Sequence, residues 1–258
     1  MKVKTMINRF MFSQVNFDSG SLCVLASVVH KFPEAGKYHG AILRGADVVG
    51  RFSIVVGEQP TPTATSPAEQ QSVRIDLRQL DLPVSKHLES QTCNCFVLKP
   101  GGYAVFYVST GAGGYAVEIR KTGKECGGAK VFDSRELKEE DMFTATVIRP
   151  GTYSIANVST KAKGELVVAY QEIGKIPRQP EAVAIECTEN ALTPNKIRIN
   201  PTQTLVFRFK TPSRIKIELI KPEDRPRPSA PATHSEQTAA QSKAPPAKKV
   251  MRRLRISP

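Results

Sequence analysis

Pro150-Gly151-Thr152-Tyr153 is one of three similar stretches that decide the fold class; the others are Pro33-Glu34-Ala35-Gly36-Lys37-Tyr38 and Pro100-Gly101-Gly102-Tyr103. Each opens an apolar run, which is followed by a turn containing Gly or charged residues and then by a second apolar run. Pro and Gly favour a turn, and a Tyr at the start of a strand packs its ring while its hydroxyl bonds nearby backbone. The pattern predicts the hairpins of an all-β, Greek-key sandwich.

The composition is that of a globular protein. Of the 258 residues, 40% are hydrophobic and 24% are charged, which suffices for one large or two small cores. No window approaches 18 apolar residues, which excludes a transmembrane helix. The N-terminal residues contain no sustained apolar stretch, so no signal peptide is recognisable and the default expectation is the cytoplasm. The five cysteines are an odd, scattered set and do not predict a disulfide framework.

Shifts in composition divide the chain into five segments. A Pro/Thr-rich linker at 59–71 separates a β half-module at 1–58 from a sandwich at 72–175, and a second half-module follows at 180–220. The last segment, 221–258, contains seven prolines and carries nine Lys and Arg against three Asp and Glu, or +6 of the net charge of +13. This composition predicts a disordered basic tail.

The central segment reads almost entirely as strands. Tyr103–Val108 is apolar on both faces, which is typical of a strand in the middle of a sheet. A single short helix is expected at 134–142, where Asp133 has the position of a cap and Glu136 follows at capping-box spacing.

The segment 183–220 alternates strictly between apolar and charged residues, which indicates strands with one buried and one exposed face. The residues expected inside are Ile197, Ile199, Leu205, Phe207, Phe209, Ile215, Ile217 and Leu219. Six cations are expected outside: Lys196, Arg198, Arg208, Lys210, Arg214 and Lys216.

Residues 137–168 resemble the second half of a cupredoxin. The similarity lies in Leu137, the strand 143–147, Pro150-Gly151-Thr152-Tyr153 and the Gly- and Val-rich strand 164–168. Residues 97–106 are similar to the cupredoxin stretch that precedes the first copper histidine. The resemblance covers about 75 residues and implies a cupredoxin-like β-sandwich.

The copper ligands of that family are missing. Cupredoxins have a Cys four residues after the Tyr of Pro-Gly-Thr-Tyr, with a His and a Met in the same loop. Here the Cys position is Asn157, and 158–163 contains no His, Met or Cys. The upstream His position falls in 109–114, again without a ligand. A blue-copper site needs two imidazoles and a thiolate, so the resemblance implies the scaffold without electron transfer, and no cofactor is expected.

The flanks show half-patterns of sandwich domains. Residues 30–38 with 48–56 look like the final strands of an Ig-like or PKD-like module, and 186–207 looks like the opening strands of a cupredoxin. Neither half can bury a face alone. One hypothesis is that 1–58 and 180–220 pair into a second sandwich.

The cysteines and histidines offer one candidate metal or redox site. Cys93 and Cys95 are a close thiol pair that can bind a soft metal or cycle as a dithiol, with His87 and Cys126 as further ligands. The alternative is that the two thiols point to opposite faces of a strand. His30 and His39 match no metal motif and are expected to be structural or exposed.

The cations offer a candidate polyanion site. If the three strands of 196–216 are neighbours, their six cations share one face and can meet phosphates; the alternative is a solvated face that protects an edge from aggregation. The end of the tail adds Lys248, Lys249, Arg252, Arg253 and Arg255 among apolar residues. It is able to dock on nucleic acid or an anionic surface, or to remain a solvated end.

No nucleophile-base-acid arrangement or carboxylate pair stands out, so the sequence does not predict an enzyme. The favoured interpretation is a copper-less, cupredoxin-like binding or structural module whose partner is another protein. The alternatives are a metal or redox protein that uses Cys93 and Cys95, and a nucleic-acid or polyanion binder that uses the cations.

Overall fold

The structure is a computed structural model that describes residues 8–57, 70–81, 94–123, 128–170 and 181–223. These ranges contain two short helices, α1 (Arg9–Ser13) and α2 (Leu77–Leu80), and sixteen strands. The strands are β1 (Asn16–Asp18), β2 (Ala26–Phe32), β3 (Gly36–Arg44), β4 (Asp47–Val56), β5 (Gln70–Asp76), β6 (Cys95–Tyr107), β7 (Tyr115–Lys121), β8 (Ala129–Asp133), β9 (Asp141–Thr146), β10 (Gly151–Asn157), β11 (Lys163–Val168), β12 (Val183–Cys187), β13 (Leu192–Thr193), β14 (Lys196–Ile199), β15 (Thr204–Phe209) and β16 (Ile215–Pro222). The all-β prediction is confirmed. No helix in these ranges is long and apolar enough to cross a membrane.

The strands form two mixed sheets. The small sheet has the order β1-β16-β10-β11-β14. The large sheet has the order β13-β12-β15-β9-β2-β6-β4-β3-β7-β8, and β5 pairs with β6 as well. The inward side chains of both sheets belong to one continuous core.

Strands from different sequence segments alternate within each sheet. In the large sheet, β2 lies between β6 and β9, and β15 pairs with β9. In the small sheet, β10 pairs with β16, and β11 pairs with β14. Strands from 1–58 and 180–220 meet directly through β1 and β16. Both flanking segments therefore share sheets with the central segment. Strand β5 begins at Gln70, inside the stretch expected to be linker; 58–69 and 224–258 lie outside the described residues.

The long strand β6 connects two parts of the large sheet. Its first half pairs with β4, and its second half pairs with β2 and β5. Gly101, with φ of 78°, separates the two halves. Phe132 of β8 stacks on Phe106 of β6, with 5.7 Å between the ring centroids. The outer strands β3, β4, β7 and β8 thus fold back over β2 and β6 and enclose an aromatic core.

The three Pro-Gly-Tyr stretches share one backbone feature and differ in another. Each has a Gly with positive φ two residues before the Tyr: Gly36, Gly101 and Gly151. The hydroxyl of buried Tyr38 donates to the Glu34 carbonyl, and that of buried Tyr153 donates to the Arg149 carbonyl, both at 2.7 Å. Tyr103 instead faces outward and is half-buried. In two of the stretches the Tyr hydroxyl therefore stabilises the preceding turn, whereas in the third stretch the Tyr ring lies at the surface.

This difference gives a matched test. Tyr153→Phe and Tyr38→Phe are each expected to lower the free energy of unfolding by about 1–2 kcal/mol, because a buried hydrogen bond to a carbonyl is lost. Tyr103→Phe is expected to stay within about 0.5 kcal/mol of the parent, as surface substitutions do. Urea unfolding of the three variants measures the effect. Equal losses in all three would contradict this account of the turns.

The helix predicted at 134–142 is wrong. The chain makes two turns there, and strand β9 begins at Asp141. Asp133 caps a turn, since it accepts the backbone N–H of Arg135 at 3.0 Å. Asp141 closes the second turn by accepting the N–H of Lys138 at 2.7 Å. Local side-chain-to-backbone bonds compete with a helix, and here buried Leu137 bridges to Ser213.

Candidate functional site

The six cations predicted to share a polyanion-binding face lie on two different sheets. Arg208 is on β15 in the large sheet, with Lys210 just beyond it, whereas β14 and β16 belong to the small sheet and are separated by β10 and β11. Lys196 and Arg198 therefore lie at an edge, away from Arg214 and Lys216. Strict alternation indicated which side of each strand is exposed, but the three strands are not neighbours.

Three of these cations already face carboxylates. Arg214 donates two hydrogen bonds to Asp18, each at 2.9 Å, and this bond raises the pKa of Arg214. Lys216 Nζ lies 3.9 Å from an Asp18 oxygen. Lys210 Nζ lies within 4 Å of carboxylates of Glu139 and Glu186. These pairs are exposed or half-exposed, so they leave little charge for a shared polyanion site. The tail cations Lys248, Lys249, Arg252, Arg253 and Arg255 lie outside the described residues.

The candidate metal or redox site is described only at Cys95, an exposed thiol at the start of β6. Cys93, Cys126 and His87 lie outside the described residues. Cys23 and Cys187 are buried in the core, and burial raises the pKa of each thiol to about 12. These two thiols are protonated packing groups at neutral pH. In the described ranges, no three His, Cys, Asp or Glu side chains are grouped as a metal site.

Asn157 is buried and bonded through both ends of its amide. Its Nδ2 donates to Ser213 Oγ at 2.9 Å. Its Oδ1 accepts the backbone N–H groups of Ser159 and Arg214, each at 3.2 Å. The side chain therefore joins the loop after β10 to the start of β16. Asn157 is a structural link between these two segments.

The two histidines differ in environment. His30 is buried, and its Nδ1 lies 2.6 Å from Asp141 Oδ1. Its ring contacts the rings of Phe32 and Phe132, with both centroid distances at 4.7 Å. His39 is exposed on β3, and its Nδ1 lies 3.4 Å from Ser53 Oγ.

The most extensive candidate site is the outward side of the five adjacent strands β15, β9, β2, β6 and β5, which we call the open face. The five strands together are about 19 Å wide, because neighbouring strands are spaced about 4.8 Å apart. The residues on its two main rows are Arg208, Met142, Val29, Val105 and Arg74, and Val206, Thr144, Ser27, Tyr107 and Asp76. A third, shorter row contains Lys31, Tyr103 and Ser72.

The centre of the open face is apolar and uncovered by any described element. Val29, Val105, Met142, Tyr103 and Tyr107 are all half-buried, although they point away from the core. Single exposed apolar residues are ordinary, but a contiguous apolar patch marks an interaction surface. The hydroxyls of Ser27 and Thr144 lie 2.7 Å apart and satisfy each other within this patch. These two hydroxyls therefore need no hydrogen-bond partner from outside the patch.

The charge of the open face is one-sided. Lys31, Arg74 and Arg208 lie around the apolar centre, and none of them forms an ion pair with another described residue. The outward positions of the five strands carry one carboxylate, Asp76, which is buried at the end of β5 beside Tyr107 and accepts the backbone N–H groups of Arg78 and Ser109. An acidic or anionic partner would complement this arrangement.

The sequence carries a signal for this face in the alternation of Tyr103, Val105 and Tyr107 along β6. A run that is apolar on both faces predicts a central strand. Strand β6 is central, but only one of its faces is covered. Periodicity shows which residues share a face and does not show whether a second layer packs on it.

Comparison with protein families, with curated proteins and with solved structures finds no match to this chain.

Proposed function

We propose that this chain is a non-enzymatic interaction module whose open face binds a protein partner with an apolar centre and an acidic rim. The module is a cupredoxin-like sandwich without copper ligands, as the sequence resemblance implies, with an Ig-like pattern in its N-terminal segment. The observation that carries the proposal is the open face itself, which is apolar at its centre, cationic at its margin and uncovered by the described residues.

The chemistry of the face favours a protein over a nucleic acid. Interface centres are enriched in Tyr and Met and depleted in charge, with a polar rim around them. The floor around Val29, Val105 and Met142 follows that description. Single-stranded nucleic acids stack on successive aromatic rings. Here the two tyrosines are four residues apart on one strand, about 13 Å at the usual rise, with an aliphatic residue between them.

The charge of the face argues against a second copy of this chain. Two open faces brought together would place Lys31, Arg74 and Arg208 of each copy near one another, and the carboxylate of the face, Asp76, is buried. Like charges at an interface are unfavourable and suppress wrong partners. A partner with acidic side chains around an apolar patch removes this repulsion.

The test compares two valines that share a residue type and an environment on different sheets. Val105 is half-buried at the centre of the open face, and Val167 is half-buried on the outward side of β11 in the small sheet. Val105→Glu is expected to weaken capture of the partner by at least about tenfold, because a charge enters an apolar interface centre. Val167→Glu controls for the cost of a carboxylate on a strand, and its capture is expected to equal that of the parent.

The baits are the full-length protein, Val105→Glu, Val167→Glu and Arg74→Glu. Each bait is tested after nuclease treatment, at a low and at a high salt concentration. Support requires a nuclease-resistant protein that Val105→Glu and Arg74→Glu lose and Val167→Glu retains, with weaker binding at high salt. The proposal is overturned by retention of the same proteins in all baits, by loss of binding after nuclease treatment, or by a dimer that Val105→Glu abolishes.

A further inference from the structure

A second surface, on the strands β4, β3 and β7, carries a groove of about 370 Å³. It lies outside the open face, and its lining includes His39, Ala41, Arg51, Glu118 and Arg120. We call it the basic groove.

The groove forms because a small side chain lies between two long side chains in one row of the sheet. Ala41 of β3 is paired with Arg51 of β4 on one side and with Glu118 of β7 on the other. A methyl group between two long side chains leaves a depression with a flat backbone floor. In the next row, His39 is paired with Arg120, so a second cation stands diagonally opposite Arg51.

The carboxylate in the groove is neutralised by its neighbours. Arg120 lies 2.8 Å from Glu118 Oε1, and Arg135 lies 3.1 Å from Glu118 Oε2. Arg135 in turn binds Asp133, and although burial acts in the opposite direction, hydrogen bonds from Arg135 and Lys130 lower the pKa of Asp133. The acidic charge near the groove is thus held in a network on the β8 side.

Of the other two cations in the described lining, Arg51 is unpaired and Lys121 is paired. Arg51 is exposed and forms no ion pair with another described residue. Lys121 binds Glu34, which is outside the lining, and this bond raises the pKa of Lys121. With Arg120, the described part of the lining carries three cations and one carboxylate. Its net charge therefore favours an anion.

The spacing of Arg51 and Arg120 suits one small oxyanion. The two residues lie two strands and two residues apart, which places their Cα atoms about 12 Å from each other. Two Arg side chains are together long enough to span that distance, and Arg120 is held in place by its bonds from Nε and Nη2 to Glu118 Oε1. Guanidinium groups bind phosphate oxygens through paired, charge-assisted hydrogen bonds.

We infer that the basic groove binds the phosphate group of a phosphate monoester, with Arg51 and Arg120 as its two clamps and Ala41 as its floor. This site does not rest on the open face or on the proposed protein partner.

Titration of the full-length protein with inorganic phosphate and with O-phosphoserine, at constant ionic strength, tests the site through amide chemical shifts. Saturable shifts are expected at residues 39–41 and 118–122. O-phosphoserine is expected to bind at least as tightly as inorganic phosphate if the groove accepts a monoester. Chloride at the same ionic strength is expected to give no saturable shift there.

Arg51→Gln is expected to weaken phosphate binding about tenfold, because a charge-assisted hydrogen bond is lost. Ala41→Gln fills the floor without changing the charge and is expected to weaken binding similarly. Arg9→Gln, at an exposed Arg of α1, is the matched control and is expected to bind like the parent. The inference is overturned if no saturable shift occurs, if binding is limited to inorganic phosphate, or if Arg9→Gln weakens binding as much as Arg51→Gln.

Discussion

Asp141→Ala is expected to lower the free energy of unfolding by about 2–5 kcal/mol, because two buried donors lose their acceptor and each such loss costs about 1–3 kcal/mol. Asp141 is 3% exposed and serves two donors. Its Oδ1 is 2.6 Å from His30 Nδ1, and its Oδ2 accepts the N–H of Lys138 at 2.7 Å. Alanine leaves both without a partner, and the imidazole lies between two Phe rings where water does not replace the carboxylate.

Two further variants make this prediction specific. Asp141→Asn keeps the size and one acceptor but turns an NH₂ group toward one of the two donors, so a loss between those of parent and alanine is expected. Glu140→Ala removes a neighbouring exposed carboxylate and is expected to change stability by less than about 0.5 kcal/mol. Guanidinium unfolding gives all three values. A loss below about 1 kcal/mol for Asp141→Ala would show that the pair does not hold β2 to β9.

Asn157→Ala is expected to cost about 2–4 kcal/mol, because two backbone N–H groups lose their acceptor in a buried site, each worth about 1–3 kcal/mol, with partial relaxation. The donors are Ser159 and Arg214, and the side chain is 2% exposed. The bond from Nδ2 to Ser213 Oγ is lost as well.

Asn157→Asp separates the two ends of the amide. The carboxylate keeps the acceptor for both N–H groups, but its second oxygen faces Ser213 Oγ, whose proton is already donated to the Thr211 carbonyl at 2.8 Å. Two acceptors without a proton between them repel, so this variant is expected to be destabilised too. Asn195→Ala, at an exposed position, is the control and is expected to be neutral. If Asn157→Ala is as stable as the parent, Asn157 does not link the loop after β10 to the start of β16.

Strand content and inward residues could be predicted from the sequence because alternation reports burial directly. Seven apolar residues of the segment 196–217 are buried as predicted: Ile197, Ile199, Leu205, Phe207, Phe209, Ile215 and Ile217. Leu219 is half-buried at the end of β16. The Pro-Gly-Tyr stretches also predict hydrogen bonds from the Tyr hydroxyls to nearby backbone, and the hydroxyls of Tyr38 and Tyr153 donate such bonds.

Strand partners could not be predicted, because a two-residue period is the same whichever strand lies alongside. This is why Arg208 was expected beside Arg198 and Arg214 but lies on the other sheet. The basic groove was hidden for the same reason. Ala41, Arg51 and Glu118 are far apart in sequence and become neighbours only through the pairings of β3 with β4 and with β7.

The pairing of β1 with β16 has a consequence for how the chain is made. The small sheet holds β1, the first described strand, next to β16, the last described one, and β9 of the large sheet is unpaired on one side until β15 has been synthesised. A nascent chain that ends at residue 180 therefore carries open strand edges, which invite aggregation. Folding is expected to be completed only after translation passes residue 222, and to be slow, because its pairings join distant parts of the chain.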